Sequence, residues 1–242
     1  MRKSGIPHSR FTGKFTSVSD LLSLSIPIHH CHLFTPESTN LFKLVVVEQI
    51  MGVNSFYVVR HGETQANVME VNAGPLDYPL TKKGIKEIRY LAKALSEIEI
   101  TRVYCSPVYR AVETAKLMAK PHKLGVKTVK GLTEAKLKAE FVGKKGRKRI
   151  LLTPEAFDET YQELQARVVG SINAINKEAS GNVIVVSHGD PITALLQYVI
   201  ERKVIGSNSY YVLHPDPGSL SIIDRRDRLE LVLFNYHRNR FE

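Results

Sequence analysis

The chain has 242 residues, 43% of them apolar, and a formal net charge of +10. That allows one large domain or two small ones, and no stretch approaches the roughly 18 apolar residues a membrane span needs. Only Cys31 and Cys105 are present, far apart, so no disulfide framework is implied and a reducing cytoplasm is the expected setting.

Residues 1–50 read as an irregular extension, rich in Ser and Thr, with no sustained period before Leu44-Val45-Val46-Val47. The first stretch is basic and nearly acid-free, as a transit peptide is. His29-His30-Cys31-His32 fits no zinc spacing, because adjacent ligands on a short segment cannot surround one ion. No metal is therefore expected there. Met51 stands just before the first strong apolar run, so the expected division is an extension, 1–50, and a folded domain, 51–242. Met51 is then the expected natural start, and an intact mass that includes Met1 would refute this.

From there strands and helices alternate. Phe56–Val59 predicts a strand, and Thr81 caps a helix of about Lys82–Leu95 with Ile85, Ile88, Leu91 and Leu95 on one face. Arg102–Cys105 predicts a second strand, whose Cys105 is expected to be buried and inert. A helix follows with Ser106 at its cap and Pro107 in its first turn. A short strand near Val126–Val129 leads into a basic loop, 136–149. Between Gly131 and Ile150 there are seven Lys or Arg against Glu134 and Glu140. Such charge points to anionic partners, but with only Phe141 as an aromatic in the run, nucleic acid is not the expected one. Thr153-Pro154 predicts the start of the longest helix, with Phe157, Tyr161, Leu164, Val168, Ile172 and Ile175 inward. Val183–Val186 predicts another strand, and Pro191 opens a helix. Ser219–Ile223 and Leu229–Phe234 close the chain as an antiparallel hairpin through Asp224-Arg225-Arg226-Asp227. The order predicts an α/β fold, a three-layer α/β/α sandwich around a mostly parallel sheet.

Three of these strands end in phosphate-compatible side chains. The first runs into Arg60-His61-Gly62-Glu63-Thr64, at the sheet edge where open α/β folds bind ligands. Arginine offers a planar fork for phosphate oxygens, neutral imidazole is a nucleophile near pH 7, and glycine lets backbone approach closely. Ser106-Pro107-Val108-Tyr109-Arg110 follows the second strand, and Ser187-His188-Gly189 ends the later one. The pattern points to phosphoryl transfer through a histidine.

Together these motifs, with Asn67, Pro79-Leu80-Thr81-x-x-Gly84, Thr114-Ala115 and Leu132-x-Glu134, resemble the histidine phosphatase superfamily, branch 1, also called phosphoglycerate mutase-like. They occur in family order across roughly residues 54 to 223. The resemblance implies that His61 becomes phosphohistidine, that Glu134 is the general acid and base, and that His188 acts beside them. It implies a phosphate pocket of Arg60, His61, Asn67, Arg110, His188 and Gly189, with no cofactor and no metal. Glu140 competes with Glu134 for the acid. Arg110 has a plainer reading as a helix-surface ion pair with Glu113 or Glu63, and Asn67 one as a loop cap. Two departures stand out. The chain has no tryptophan, so the Gly-x-Trp-Glu-Gly-like segment of many such phosphatases is missing, and the Arg-His-Tyr-Gly-like sequence of cofactor-dependent mutases is missing too. The basic loop replaces both, either as an electropositive mouth or as a solvated loop. Glu87 and Glu113 stand where glutamine is common. The expected activity is metal-independent hydrolysis of a small phosphomonoester. The alternatives are a phosphoglycerate mutase and a silent phosphate- or nucleic-acid-binding module. Many relatives dimerise, so a homodimer is an expectation.

Overall fold

The computed structural model describes residues 55–145, 154–200, 213–225 and 228–237. The extension 1–50, the Met51 start, His29-His30-Cys31-His32, Arg147, Lys148, Arg149, Thr153 and the Arg226-Asp227 turn lie outside these residues.

Six strands form one sheet: β1 (Ser55–Arg60), β2 (Ile100–Cys105), β3 (Val126–Thr128), β4 (Asn182–Ser187), β5 (Leu220–Arg225) and β6 (Leu229–Tyr236). Their spatial order is β3-β2-β4-β1-β5-β6. β1, β2, β3 and β4 pair in parallel, while β5 and β6 are antiparallel to their neighbours. The central strands β1 and β4 are buried throughout, as strands covered on both faces must be.

Among the described residues the α-helices are α1 (Gln65–Val68), α2 (Lys82–Ala94), α3 (Tyr109–Ala119), α4 (Tyr161–Glu178) and α5 (Gly189–Val199). The crossovers β2–α3–β3 and β3–α4–β4 run in opposite directions across the sheet, so right-handed connections set α3 and α4 on opposite faces. On the α4 face, Leu164, Val168, Ile172 and Ile175 join Ile192, Leu195 and Leu196 of α5 against Phe56, Val58, Tyr104, Val183 and Val185. On the other, α2 packs on α3. This is the expected sandwich. No helix among the described residues is long and apolar enough to cross a membrane.

Thr81 caps α2 as expected, its hydroxyl accepting from the Gly84 amide at 2.9 Å. Ile88, Leu91 and Leu95 are buried, whereas Ile85 is only half so. Two helix starts differ from the sequence reading. Ser106 does not cap α3, which begins at Tyr109 behind Val108 with no side-chain cap; the Ser106 hydroxyl is engaged by the Val108 amide and His188 instead. Pro154–Ala156 forms an isolated 3-10 turn, and α4 begins at Tyr161 behind a Thr160/Glu163 capping box. Residues 156–158 are held by the loop 136–138, through Lys138 N–H to the Ala156 carbonyl (2.9 Å) and Asp158 N–H to the Lys136 carbonyl (2.7 Å). Those bonds keep that stretch out of the helix. Cys105 is buried, and burial pushes its thiol up to about 11.

Candidate active site

The site forms where β1, β2 and β4 end. The parallel register pairs Arg60 with Ser187, and the ladder continues past the strand as His61 N–H donates to the Ser187 carbonyl at 3.0 Å. The next residues, His61 and His188, therefore meet with ring centroids 5.2 Å apart at 63°. Arg60, His61, Arg110 and His188 are 3%, 2%, 2% and 0% exposed. These are enclosed polar groups rather than solvated edge residues, and such burial requires partners.

Those partners fix the imidazole. His61 Nδ1 lies 2.9 Å from the Gly62 carbonyl, and Arg110 Nε lies 3.3 Å from His61 Nε2. Guanidinium can only donate, so Nε2 is the acceptor and Nδ1 carries the proton. Arg110 also donates through Nη1 to the Leu76 carbonyl (3.3 Å) and through Nη2 to the Gly74 carbonyl (3.2 Å). It is thus no surface ion pair. Arg60 Nη1 reaches the Pro215 carbonyl and His214 Nε2, the latter at 3.1 Å. His188 Nε2 lies 2.8 Å from Ser106 Oγ.

The loop behind His61 is held from two sides. Thr114 of α3 accepts the Gly62 amide at 3.1 Å. Thr81 donates its amide to the Glu63 carbonyl (2.8 Å) and its hydroxyl to the Glu63 carboxylate (2.8 Å). Burial alone would push the Glu63 carboxyl up; the bonds from Lys83 and Thr81 and the Lys83 charge outweigh it and hold the carboxyl low.

A cleft opens beside His61, lined by His61, Asn67, Arg110, Glu134 and Asp190, with Asn72, Leu137 and Phe157 on its walls. Of the predicted residues, Glu134 faces the cleft, and its carboxylate accepts from the Ala135 amide (3.1 Å) and the Asp190 amide (3.4 Å). Glu140 is exposed in a 3-10 turn and is absent from the lining. Asn67 is a cap, its carbonyl accepting from the Thr64 amide at 3.0 Å in a capping box, and it also lines the cleft. Arg60 and His188 are buried and are not among the lining residues, and buried Gly189 is the first residue of α5. Sequence reading missed Asp190 and His214, whose Nδ1 lies 4.0 Å from Asp190 Oδ1. Asp190 could have been found as the residue after His188-Gly189; nothing in the sequence joins His214 to Arg60.

The basic loop is docked over its described part. Lys144 accepts both the backbone and side-chain amide of Asn72 (2.9 and 3.0 Å), Gly143 donates to the Asn72 carbonyl (2.7 Å), and Leu137 bridges Phe157. Of these residues Leu137 lines the cleft, while Lys136, Lys144 and Lys145 are exposed and lie outside the lining. Among the described residues no group of three or more His, Cys, Asp or Glu could hold a metal ion.

The 2,3-bisphosphoglycerate-dependent phosphoglycerate mutase of Thermoplasma acidophilum is 31% identical over 182 residues, covering 69% of this chain and 85% of that enzyme. The adenosylcobalamin/alpha-ribazole phosphatase of Escherichia coli is 36% identical over 78 residues, 32% of this chain and 38% of that protein. The crystal structure of a phosphoglycerate mutase from Bacillus anthracis superposes with a TM-score of 0.63 at 25% identity, covering 76% of this chain and 92% of that one. The sequence profile of the histidine phosphatase superfamily (branch 1) matches residues 56–236, three quarters of the protein, and the chain belongs to that superfamily.

Proposed function

We propose that the protein hydrolyses phosphomonoesters of small molecules through a phosphohistidine on His61, without a metal ion. The observation that carries this reading is the His61 tautomer. Its protonated Nδ1 is spent on the Gly62 carbonyl, which leaves Nε2 unprotonated as the nucleophile; Arg110 Nε, 3.3 Å away, would exchange Nε2 for a phosphate oxygen when substrate binds.

In the first step Nε2 attacks phosphorus in line, and the bond from phosphorus to the ester oxygen breaks. The departing oxygen takes a proton from Glu134. Arg60, Arg110, His188, Asn67 and the Gly189 amide hold the non-bridging oxygens, whose charge is best compensated between the attacking and leaving atoms. In the second step water attacks the phosphohistidine and gives its proton to Glu134, and inorganic phosphate and His61 are released. The net charge of +10 and the basic composition of the segment 136–149 favour an anionic substrate. We place the reaction in the cytoplasm, on the ground that the two widely separated cysteines imply no disulfide framework.

Mutase activity is the second reading, favoured by the likeness to the Thermoplasma enzyme. It requires the phosphoryl group to be kept from water and returned to a second position. The phosphatase reading rests on the missing mutase signature and the likeness to the Escherichia phosphatase. The test is phosphate release from p-nitrophenyl phosphate in excess EDTA, comparing the full-length protein with His61→Ala. Release that vanishes in the variant is expected. Release that survives His61→Ala, or that EDTA abolishes, refutes the mechanism. Interconversion of 3- and 2-phosphoglycerate stimulated by 2,3-bisphosphoglycerate, with no phosphate released, establishes the mutase instead.

A further inference from the structure

Arg167 sits on α4, behind the cleft wall. Its Nη1 donates to the carbonyls of Gly131 (2.9 Å) and Thr133 (2.8 Å), and its Nη2 to the carbonyl of Glu134 (3.0 Å). The remaining contacts go to Glu159, Nε to Oε2 (2.8 Å) and Nη2 to Oε1 (2.7 Å). Glu159 Oε1 in turn accepts the Lys136 amide at 2.7 Å. One fork therefore grips the main chain before Glu134 and at it, and through Glu159 the amide two residues beyond. Both side chains are mostly enclosed, 19% and 4% exposed.

The loop also lies flat on the helix. A Cβ at Gly131 would stand 2.0 Å from Ser171 Oγ and 2.9 Å from the Arg167 carbonyl. A planar, bidentate guanidinium suits such a task, since it fixes direction as well as distance. The investment is large for a loop whose only carboxylate in the cleft lining is Glu134.

We propose that Arg167, with Glu159 as its counter-ion, is the positioning residue for the general acid. It holds the Glu134 backbone so that the carboxyl stands over the departing oxygen. This rests on the reading of Glu134 given above. A plain stabilising ion pair would, when broken, lower stability and slow every substrate alike. A positioning pair slows a substrate according to how much its leaving group needs a proton.

The experiment measures kcat/KM of the full-length protein with p-nitrophenyl phosphate, whose leaving group departs readily unprotonated, and with phenyl phosphate, which is similar in shape but leaves poorly. The variants are Glu134→Gln, Arg167→Met, Arg167→Lys and Glu159→Gln, with thermal melts alongside. Arg167→Met is expected to reproduce the Glu134→Gln pattern, with a loss of about 100-fold on phenyl phosphate and no more than about fivefold on p-nitrophenyl phosphate. Arg167→Lys recovers part of the difference. If Arg167→Met does not fold, Glu159→Gln, which can still accept the Lys136 amide, carries the test and shows the same pattern more weakly. Equal losses on both substrates, or none, while Glu134→Gln discriminates, overturn the inference alone. A Glu134→Gln that does not discriminate overturns the reading of Glu134 and the inference with it.

Discussion

Replacing Gly84 with alanine is expected to damage catalysis far more than stability. Gly84 is the third residue of α2, and a Cβ there would stand 2.3 Å from the Glu63 carbonyl oxygen and 2.7 Å from the Glu63 nitrogen. Ordinary contact begins at 3.4 Å, so one partner must retreat by about 1 Å. The opposing atoms are backbone, and no rotamer change relieves them. α2 is anchored by Ile88 and Leu91 in the core, so the segment that yields is the loop at Glu63, two residues from His61. Alanine regains up to about 1 kcal/mol of helix propensity over glycine, against about 1–3 kcal/mol for overpacking. The net cost is about 0–2 kcal/mol, a fall in melting temperature of no more than about 8 °C. A displacement of about 1 Å at the reacting group costs about 100-fold in rate. The assay is kcat on p-nitrophenyl phosphate beside a thermal melt. A variant that turns over within twofold of the parent would refute the claim that the Gly84 contact sets the loop.

Arg110→Ala is expected to lower kcat about 10- to 100-fold, the loss of a charge-assisted hydrogen bond worth about 1.5–3 kcal/mol. Arg110→Lys should restore little of it, because an ammonium cannot serve His61, Gly74 and Leu76 in their fixed directions; steady-state kinetics of both variants checks this. Burial alone would push the Glu159 carboxyl up, but the Arg167 hydrogen bonds, the Lys136 amide and their charges outweigh it and hold the carboxyl below its ordinary range. The unfolded chain then binds the Glu159 proton more readily than the folded one. The pair's stability is present above about pH 4.3 and is lost as pH falls through the lowered folded value. Denaturant melts at pH 7 and below pH 4 should show a steeper acid loss in the parent than in Glu159→Gln.

What could be read in the sequence was what neighbours in the chain decide. Phe56–Val59 and Val183–Val186 are apolar on every residue because both sheet faces are covered, and Thr81 precedes its helix by the spacing a cap needs. Where two local signals compete, tertiary contacts choose. Thr153-Pro154 and Thr160-x-x-Glu163 both announce a helix, and the loop at 136–138 settles the matter by binding residues 156–158. Ser106 is a plausible cap until His188 arrives from 82 residues away to share its hydroxyl. Arg167 was the least legible of all. On a helical wheel it is one more polar residue of an amphipathic helix, and its burial exists only because residues 131–136 fold back over it.

Register is what turns the separate motifs into one site. A slip of one residue between β1 and β4 would move His61 one position along the sheet edge relative to His188. In the observed register, Val59 pairs with Val186 and Cys105 with Val186, which sets buried side chains of three strands at the same level. One step beyond, Ser106 N–H donates to the Val186 carbonyl (2.9 Å) and His61 N–H to the Ser187 carbonyl (3.0 Å). The ladder thus runs on into the loops and carries Ser106, His61 and His188 to the same edge. The apolar core and the polar site are selected by a single choice of pairing. The pairing that builds the first also sets the distance between the two histidines.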